Sequence, residues 1–164
     1  MAGKRIIHIY WEGPYSLQTL SEMRDENIDY GIYQIYGGHP VYGSDVLLYI
    51  GKADRQTFGT RISQEDWCFN RDAGNVQIYV GRLKGTRTPS DEVWSEEIGI
   101  AEKLLIFTHK PACNSSNMNS VEHNELDKFH ILNWGKYRDL MSEVSGERWT
   151  MKHNINEYKY YRQK

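Results

Sequence analysis

Two tyrosines, an arginine and a glutamate follow one another in an order that could form a single active site. The strings Gly31-Ile32-Tyr33 and Tyr49-Ile50-Gly51 lie in adjacent apolar runs, and Arg61 and Glu102 come later in the chain. Hydrolysis of a phosphodiester requires an activated water, neutralisation of charge on the nonbridging oxygens, and assistance to the leaving 3′ oxygen. Arginine suits phosphate because its planar fork donates two parallel hydrogen bonds and stays charged. These residue types are therefore consistent with phosphodiester hydrolysis.

Two β-strands are predicted to carry the tyrosines. Tyr30 to Tyr36 and Val46 to Ile50 are rich in β-branched and aromatic residues, which suit a half-buried pleated surface. The intervening Gly37 to Asp45 contains glycine, proline and aspartate and is too long for a two-residue turn. We expect an antiparallel hairpin with an elaborated loop. Because side chains alternate along a strand, Tyr33 and Tyr49 could sit close together, on facing positions.

A short helix and a third strand are predicted to follow. Thr60 to Trp67 has the pattern of a short helix, with Gly59 at its start. Val76 to Leu83 alternates with a period of two, so that Gln77 and Tyr79 oppose Val76, Ile78 and Val80. The order of elements is therefore β-β-α-β.

The clearest helix signal begins near Thr88, which can cap a helix whose first turn contains Pro89 and Asp91. Lys110-Pro111 ends the run. Within it, a stripe of apolar residues recurs at helical spacing and is expected to pack on the sheet: Trp94, Ile98, Ala101 and Leu105.

Glu102 lies in the same helix but beside the apolar face, because Ile98, Leu105 and Ile106 are its neighbours one turn away. Burying a carboxylate costs several kcal/mol unless a cation or hydrogen bonds compensate it. Glu102 therefore needs an arginine, a lysine or a metal ion. The alternative is that its stem packs and its head reaches water.

The two strings, with Glu102, Pro111 and Asn114 downstream, resemble the GIY-YIG nuclease family. The resemblance covers Tyr30 to Asn114, about half of the chain. It implies an α+β fold whose core is a small antiparallel sheet in the order β-β-α-β-α, flanked by helices. Residues 1–164 would form one domain, with 1–29 and 115–164 as extensions.

The resemblance also implies roles for individual residues. Tyr33 would activate or orient the attacking water, and Tyr49 would hydrogen-bond the scissile phosphate. Arg61 would stabilise charge on the phosphate, and Glu102 would be the sole protein ligand of a divalent metal ion. Asn114 corresponds to a hydrogen-bonding asparagine near the site, and Lys52 to a lysine of restriction members.

The chemistry of these types limits the mechanism. Tyrosine, with a pKa of about 10, can act as a base only if a metal-bound water or a cation such as Lys52 assists it. A single carboxylate at Glu102 favours Mg²⁺ or Mn²⁺ that keeps most of its waters, and predicts weak metal affinity without nucleic acid.

Several residues depart from the family pattern or allow another interpretation. Arg61 lies ten residues after Gly51, two more than in many members, so Arg55 competes for its role. Glu65 stands where members often place histidine or tyrosine, and it could act as a base, bind metal or pair with Arg61. Asn114 could instead cap the segment after Pro111. The two tyrosines could be core-edge residues.

The flanking segments are predicted to add structure. Ile6 to Trp11 reads as a strand followed by a short helix from Ser16 to Met23. Phe129 to Trp134 reads as another strand, and Lys136 to Val144 as a helix.

Composition bounds the class of protein. The chain has 164 residues, 39% hydrophobic content and a mean hydropathy of −0.71, as expected for one soluble globular domain. The N-terminus lacks a signal-peptide pattern and no apolar run could span a bilayer, so a cytoplasmic location is expected.

The net charge of −2 requires segregated positive charge if the partner is nucleic acid. Arg82, Lys84 and Arg87 form one basic cluster. The tail from Arg148 to Lys164 combines basic residues with tyrosines, which could grip a strand or simply be solvated.

Together these observations predict a Mg²⁺-dependent DNA endonuclease of the restriction or defence type, with phage and repair roles as alternatives. Double-stranded DNA is the preferred substrate, and a homodimer is left open. The alternative from another class is a noncatalytic nucleic-acid-binding or adaptor module that retains the fold.

Overall fold

A computed structural model describes residues 4–65, 75–84, 92–121 and 126–149. The described elements, in chain order, are β1 (Arg5–Tyr15), α1 (Leu17–Ser21), β2 (Gly31–His39), β3 (Gly43–Ala53), α2 (Phe58–Ile62), β4 (Gln77–Leu83), α3 (Glu92–His109), β5 (Phe129–Gly135), β6 (Glu143–Ser145) and α4 (Gly146–Trp149). A 3₁₀ turn, Leu126–Lys128, precedes β5. No helix among these ranges is both long and apolar enough to cross a membrane.

The strands form one six-stranded sheet in the order β3-β2-β4-β1-β5-β6. The predicted α+β class is confirmed, and β2 pairs antiparallel with both β3 and β4, but the sheet is larger than the predicted small antiparallel one and is mixed, because β1 and β5 pair in parallel. β1 has Ile7, Ile9 and Trp11 on one face, and all three are buried. β1 lies inside the sheet, between β4 and β5, so the segments that flank the predicted core supply three of the six strands.

The hairpin of β2 and β3 is antiparallel, as predicted. The elaborated loop is not present, because the two strands continue through the glycine-rich segment and only residues 40–42 connect them. At Gly37 a Cβ atom would lie 2.9 Å from Leu48 Cδ1. The glycine therefore allows close packing within the sheet, a use that composition does not distinguish from a turn.

The predicted alternation of faces is confirmed. Ile32 and Tyr36 pack with α3 on one face of the sheet, whereas Tyr33 and Ile35 pack with α1 and α2 on the other. In β4, Tyr79 belongs to the first group and Ile78 to the second. The sheet therefore has an apolar layer on each side near β2 and β4.

Helix α2 differs from its predicted bounds. It begins at Phe58 rather than near Gly59, because the Thr57 hydroxyl caps it, and it ends at Ile62. Gly59 lies inside the helix, where a Cβ atom would be 2.6 Å from the carbonyl oxygen of Ser21. This glycine permits close contact with the end of α1 and does not mark a helix start.

Helix α3 confirms the predicted stripe, since Trp94, Ile98, Ala101 and Leu105 are all buried in the core. The helix ends at His109. Lys110 then takes a left-handed conformation with φ of 50°, and Pro111 follows. The predicted capping residues, Thr88, Pro89 and Asp91, lie outside the described residues.

The flanking segments agree with prediction in part. β1 and β5 confirm the strands, and Ser16 caps α1, which is shorter than expected. The predicted helix from Lys136 to Val144 is wrong, because Arg138 has φ of 52° and the chain turns before entering β6. Leu140 and Val144 are buried here by a turn and a strand rather than by a helix face.

His109 ties the end of α3 to the segment before β6. Its Nδ1 lies 2.9 Å from the Leu105 carbonyl oxygen, and its Nε2 accepts a hydrogen bond from the Met141 backbone N–H at 2.8 Å. Both ring nitrogens are thus engaged, with Nδ1 as the donor in the neutral ring. His109 therefore holds the end of α3 against the segment before β6.

We predict that this contact makes the free energy of unfolding depend on pH. Burial lowers the pKa of His109, so the neutral ring contributes fully above the unfolded value of about 6.5 and its contribution is lost as the pH falls through the lower folded value. Urea denaturation at several pH values should show a smaller loss on acidification for His109→Gln than for the unsubstituted chain. Identical slopes for the two proteins would contradict this linkage.

Candidate active site

The two tyrosines meet over Gly51. Tyr33 pairs with Gly51 across the hairpin and Tyr49 pairs with Ile35, so the tyrosines are diagonal neighbours rather than directly facing ones. Their ring centroids are 6.1 Å apart with the planes tilted by 39°. A Cβ atom on Gly51 would lie 2.6 Å from both Tyr33 Oη and Tyr49 Cε1. The predicted proximity of the two rings is therefore confirmed. It is sterically possible because Gly51 has no side chain.

A hydrogen-bonded chain joins Tyr33 to Arg61 through Glu65. Arg61 lies in the last turn of α2, and Glu65 follows one turn later, after the helix has ended. One oxygen of Glu65, Oε1, accepts a hydrogen bond from Tyr33 Oη at 2.8 Å and lies 2.6 Å from Arg61 Nη2. The structure shows the pairing with Arg61 that the sequence allowed for Glu65. The contact with Tyr33 was not anticipated.

Both phenols are held in the protonated form at neutral pH. Burial raises the pKa of Tyr33 far above its ordinary value, and the Glu65 carboxylate acts in the same direction. Burial likewise raises the pKa of Tyr49 to about 12, with Glu65 adding to the shift and Arg61 opposing it. At neutral pH the pair therefore provides hydrogen-bond donors rather than phenolate bases.

Glu102 is compensated by a lysine, one of the partners its position required. The side chain is 18% exposed, and Lys52 Nζ lies 3.8 Å from its Oε2. Burial raises the pKa of Glu102, while Lys52 and Arg61 oppose that shift. Lys52 reaches the carboxylate across Gly99, where a Cβ atom would stand 3.4 Å from Nζ. The ammonium group therefore packs against this turn of α3.

The structure distinguishes between the two candidate arginines. Arg55 is exposed and has φ of 61° in the connection after β3. The Arg61 guanidinium influences the pKa of Tyr33, Tyr49 and Glu102. Arg61 is therefore the arginine near these predicted groups.

Asn114 supports β3 through two hydrogen bonds. Its Oδ1 accepts from the Ile50 backbone N–H and its Nδ2 donates to the Ile50 carbonyl oxygen, both at 2.9 Å. Ala112 N and Cys113 N donate to Leu47 O and Leu48 O. The segment after Pro111 thus pairs with an edge strand. The side chain of Asn114 therefore fixes the strand that carries Tyr49 rather than capping its own segment.

A cleft of about 510 Å³ opens beside this segment. Its walls are formed by Tyr49, Glu102, Ile106, Cys113, Asn114 and residues 115–117. Tyr33 is absent from these walls and is only 1% exposed. The cleft therefore gives direct access to the second tyrosine and the helix carboxylate, while the first tyrosine lies behind them.

The oxygen donors near the cleft suit a hard, hydrated cation. Within the described residues no three His, Cys, Asp or Glu side chains form a metal-binding group, so a metal ion here would depend on few protein ligands. Glu102 is the carboxylate in the cleft wall. Asp54 also influences the pKa of Glu102, and its Oδ1 is buried without a hydrogen-bond partner in the described part of the chain. Mg²⁺ commonly uses one or two carboxylates and keeps several waters.

Sequence reasoning missed Asp54, although strand alternation offered a signal. Lys52 and Asp54 are two residues apart, so an extended chain directs both toward the face that α3 covers. Ser95 Oγ in α3 donates to Asp54 Oδ2 at 2.6 Å. The hydrogen bond from a distant helix could not be read from the strand pattern alone.

The predicted basic cluster after the third strand is partly committed to internal contacts. Arg82 lies 2.6 Å from Glu12 and 2.9 Å from Asp29. Lys84 Nζ lies 5.0 Å from the centroid of the Tyr10 ring. Arg87 and nearly all of the basic tail lie outside the described residues. Arg82 is therefore a structural ion-pair residue rather than an uncompensated charge for nucleic acid.

Comparisons with protein-family models, curated proteins and solved structures each gave no match to this chain.

The close approach at Gly51 predicts that Gly51→Ala destabilises the fold. The new methyl group would collide with two packed aromatic rings, and overpacking of this kind costs about 1–3 kcal/mol. The matched control is Gly99→Ala, where only the flexible end of Lys52 is near and the helix should gain about 0.5–1 kcal/mol. Chemical denaturation of the three proteins measures both effects. A Gly51→Ala protein as stable as Gly99→Ala would show that the ring arrangement is wrong.

Proposed function

We propose that this protein is a divalent-metal-dependent endonuclease that hydrolyses phosphodiester bonds in DNA. The observation that carries the proposal is the convergence of a tyrosine pair, Arg61, Lys52 and Glu102 at the edge of the sheet next to a cleft. Glu102 comes from α3 and Arg61 from α2, and the remaining groups come from the hairpin. This convergence is what the resemblance to the GIY-YIG nucleases requires of these residues.

The cations would supply the electrostatic part of the reaction. Arg61 is 28% exposed and Lys52 is 35% exposed at their side chains. Each is partly desolvated, so its interaction with a phosphate oxygen would be stronger than that of a fully solvated cation. In this proposal both groups bind nonbridging oxygens and stabilise the charge that grows on them in the transition state.

The phenols would provide directed hydrogen bonds. Their raised pKa values keep both hydroxyls protonated at neutral pH, so a tyrosine here orients the attacking water or contacts a phosphate oxygen and does not begin as a phenolate. The proton that the water loses must then pass to solvent or to another acceptor.

Glu102 would hold the metal ion, together with waters and an oxygen of the substrate. When bound, Mg²⁺ or Mn²⁺ supplies a Lewis acid that neutralises phosphate charge and activates a water. Lys52 already offsets the Glu102 charge in the structure. Metal binding must compete with that ion pair, which supports the prediction of weak affinity in the absence of nucleic acid.

The choice of DNA, a restriction or defence role, and preference for duplex follow from the resemblance. A noncatalytic binding module would share the fold and the cations, but it would have no requirement for a carboxylate at Glu102. Catalytic activity and its dependence on this side chain therefore separate the two functions.

We predict that the protein nicks or cuts supercoiled plasmid DNA in the presence of Mg²⁺ or Mn²⁺ and that Glu102→Gln abolishes cutting. Loss of the metal ligand should reduce the rate by at least ~10²-fold, while DNA affinity measured by gel retardation stays within a few-fold. Gel analysis of the plasmid forms, with and without a chelator, provides the measurement.

The control for this variant is Glu96→Gln in the same helix, which removes a carboxylate that pairs with Arg5 on the surface. It should cut at the rate of the unsubstituted protein. Cutting that persists in Glu102→Gln would refute the metal role, and DNA binding without any cutting by the unsubstituted protein would favour the binding module.

A further inference from the structure

The burial of Tyr33 bears on how Arg61 is held. Tyr33 is 1% exposed and the Glu65 side chain 6%, whereas Arg61 extends farther toward solvent at 28%. The three side chains thus form a graded series from the core of the sheet to its surface. A group as enclosed as Tyr33 is poorly placed to touch a phosphodiester, which is too large to enter the packed layer around it.

Tyr33 and Arg61 both contact the same carboxylate oxygen of Glu65. Tyr33 Oη donates to Glu65 Oε1 at 2.8 Å, and the same oxygen lies 2.6 Å from Arg61 Nη2. Tyr33 fixes the carboxylate, and the carboxylate fixes one edge of the guanidinium. A guanidinium carries five N–H donors in a rigid fork, so the donors that Glu65 does not use remain oriented by the fixed edge.

Tyr49, unlike Tyr33, is accessible from the cleft. It lines the cleft, and its hydroxyl accepts a hydrogen bond from the Arg61 guanidinium, which opposes the larger effect of burial on the pKa of Tyr49. The two tyrosines of the pair therefore differ in access even though their rings are 6.1 Å apart.

We propose that Tyr33 and Glu65 are positioning residues that fix the Arg61 guanidinium next to Tyr49, which lines the cleft. Tyr49 keeps the substrate contact that the resemblance implies for it. The proposal rests on the endonuclease function for the substrate it names, and it departs from the role that the family resemblance gives to Tyr33.

The Glu65 charge has a second consequence. A carboxylate 2.6 Å from the guanidinium neutralises much of the charge that Arg61 could offer to a phosphate, and it does so in a partly desolvated setting. Glu65 therefore weakens the attraction of Arg61 for a phosphate while it holds the guanidinium in one orientation. Removing the Glu65 charge while keeping the shape of the side chain should increase the affinity for DNA and decrease the rate of cutting. A carboxylate with only a structural role would not change the two quantities in opposite directions.

The test uses Glu65→Gln, which retains an oxygen to accept hydrogen bonds but has no charge. Binding of a DNA duplex is measured by fluorescence anisotropy over a series of salt concentrations without metal. Arg61 gains an effective charge, so the plot of log affinity against log salt should steepen by about 0.9, the contribution of one further phosphate contact. The affinity at low salt should rise several-fold, and the cutting rate with Mg²⁺ should fall about 10- to 100-fold.

The matched control is Glu97→Gln, a buried carboxylate in α3 that pairs with the Arg5 guanidinium at 3.2 Å. It makes the same chemical change in a similar ion pair away from the cleft, and its salt dependence and cutting rate should equal those of the unsubstituted protein. An unchanged salt dependence in Glu65→Gln would overturn the proposal that this carboxylate holds Arg61.

Phe substitutions separate the two tyrosines. Tyr33→Phe keeps the buried ring and loses one hydrogen bond to Glu65, so its cutting rate should fall less than about tenfold. The cutting rate of Tyr49→Phe should fall about 10²-fold or more. A loss in Tyr33→Phe as large as that in Tyr49→Phe would overturn the assignment. Steeper salt dependence in Glu65→Gln, with no cutting by any protein, would instead refute the endonuclease function while leaving the fixation of Arg61 supported.

Discussion

The desolvation of two carboxylates constrains the part of the molecule around β3. Glu65 and Glu102 have side chains only 6% and 18% exposed, and a carboxylate withdrawn from water this far must be offset by a cation or by hydrogen bonds. Arg61 and Lys52 meet that requirement. Because the cations are the more exposed members of these pairs, the interactions that compensate the buried carboxylates also place Lys52 next to Glu102 and Arg61 next to Tyr49, two residues that line the cleft.

The backbone of the edge strand β3 must also find hydrogen-bond partners. An uncovered edge would expose unpaired N–H and C=O groups, and residues 112–114 satisfy several of them, including both backbone groups of Ile50. The covering segment is short, so the adjacent surface remains open as the cleft. Tyr49 is fixed by the pairing on both sides of its strand, yet its side chain reaches the open space.

The rest of the sheet provides rigidity for this edge. β2 and β4 have apolar residues on both faces, which pack under α3 on one side and under α1 and α2 on the other. β1 and β5 then extend the sheet in the opposite direction and are joined by an internal hydrogen bond between Trp11 Nε1 and Asn133 Oδ1 at 2.8 Å. The cleft thus lies at one end of a sheet whose central strands are enclosed, which limits movement of the groups around it.

The sequence by itself determined the features that repeat along a short stretch of chain. Alternation in β2 and β4 assigned side chains to faces, the spacing of Trp94 to Leu105 identified the buried side of α3, and the position of Glu102 beside that stripe required a compensating charge. Only the tertiary structure decided which distant groups meet: Lys52 with Glu102, Tyr33 with Glu65, Asn114 with Ile50, and β1 with β5. Periodicity arises from local backbone geometry, whereas these pairings depend on which remote partner can satisfy a desolvated group, and that requires the whole chain to be folded.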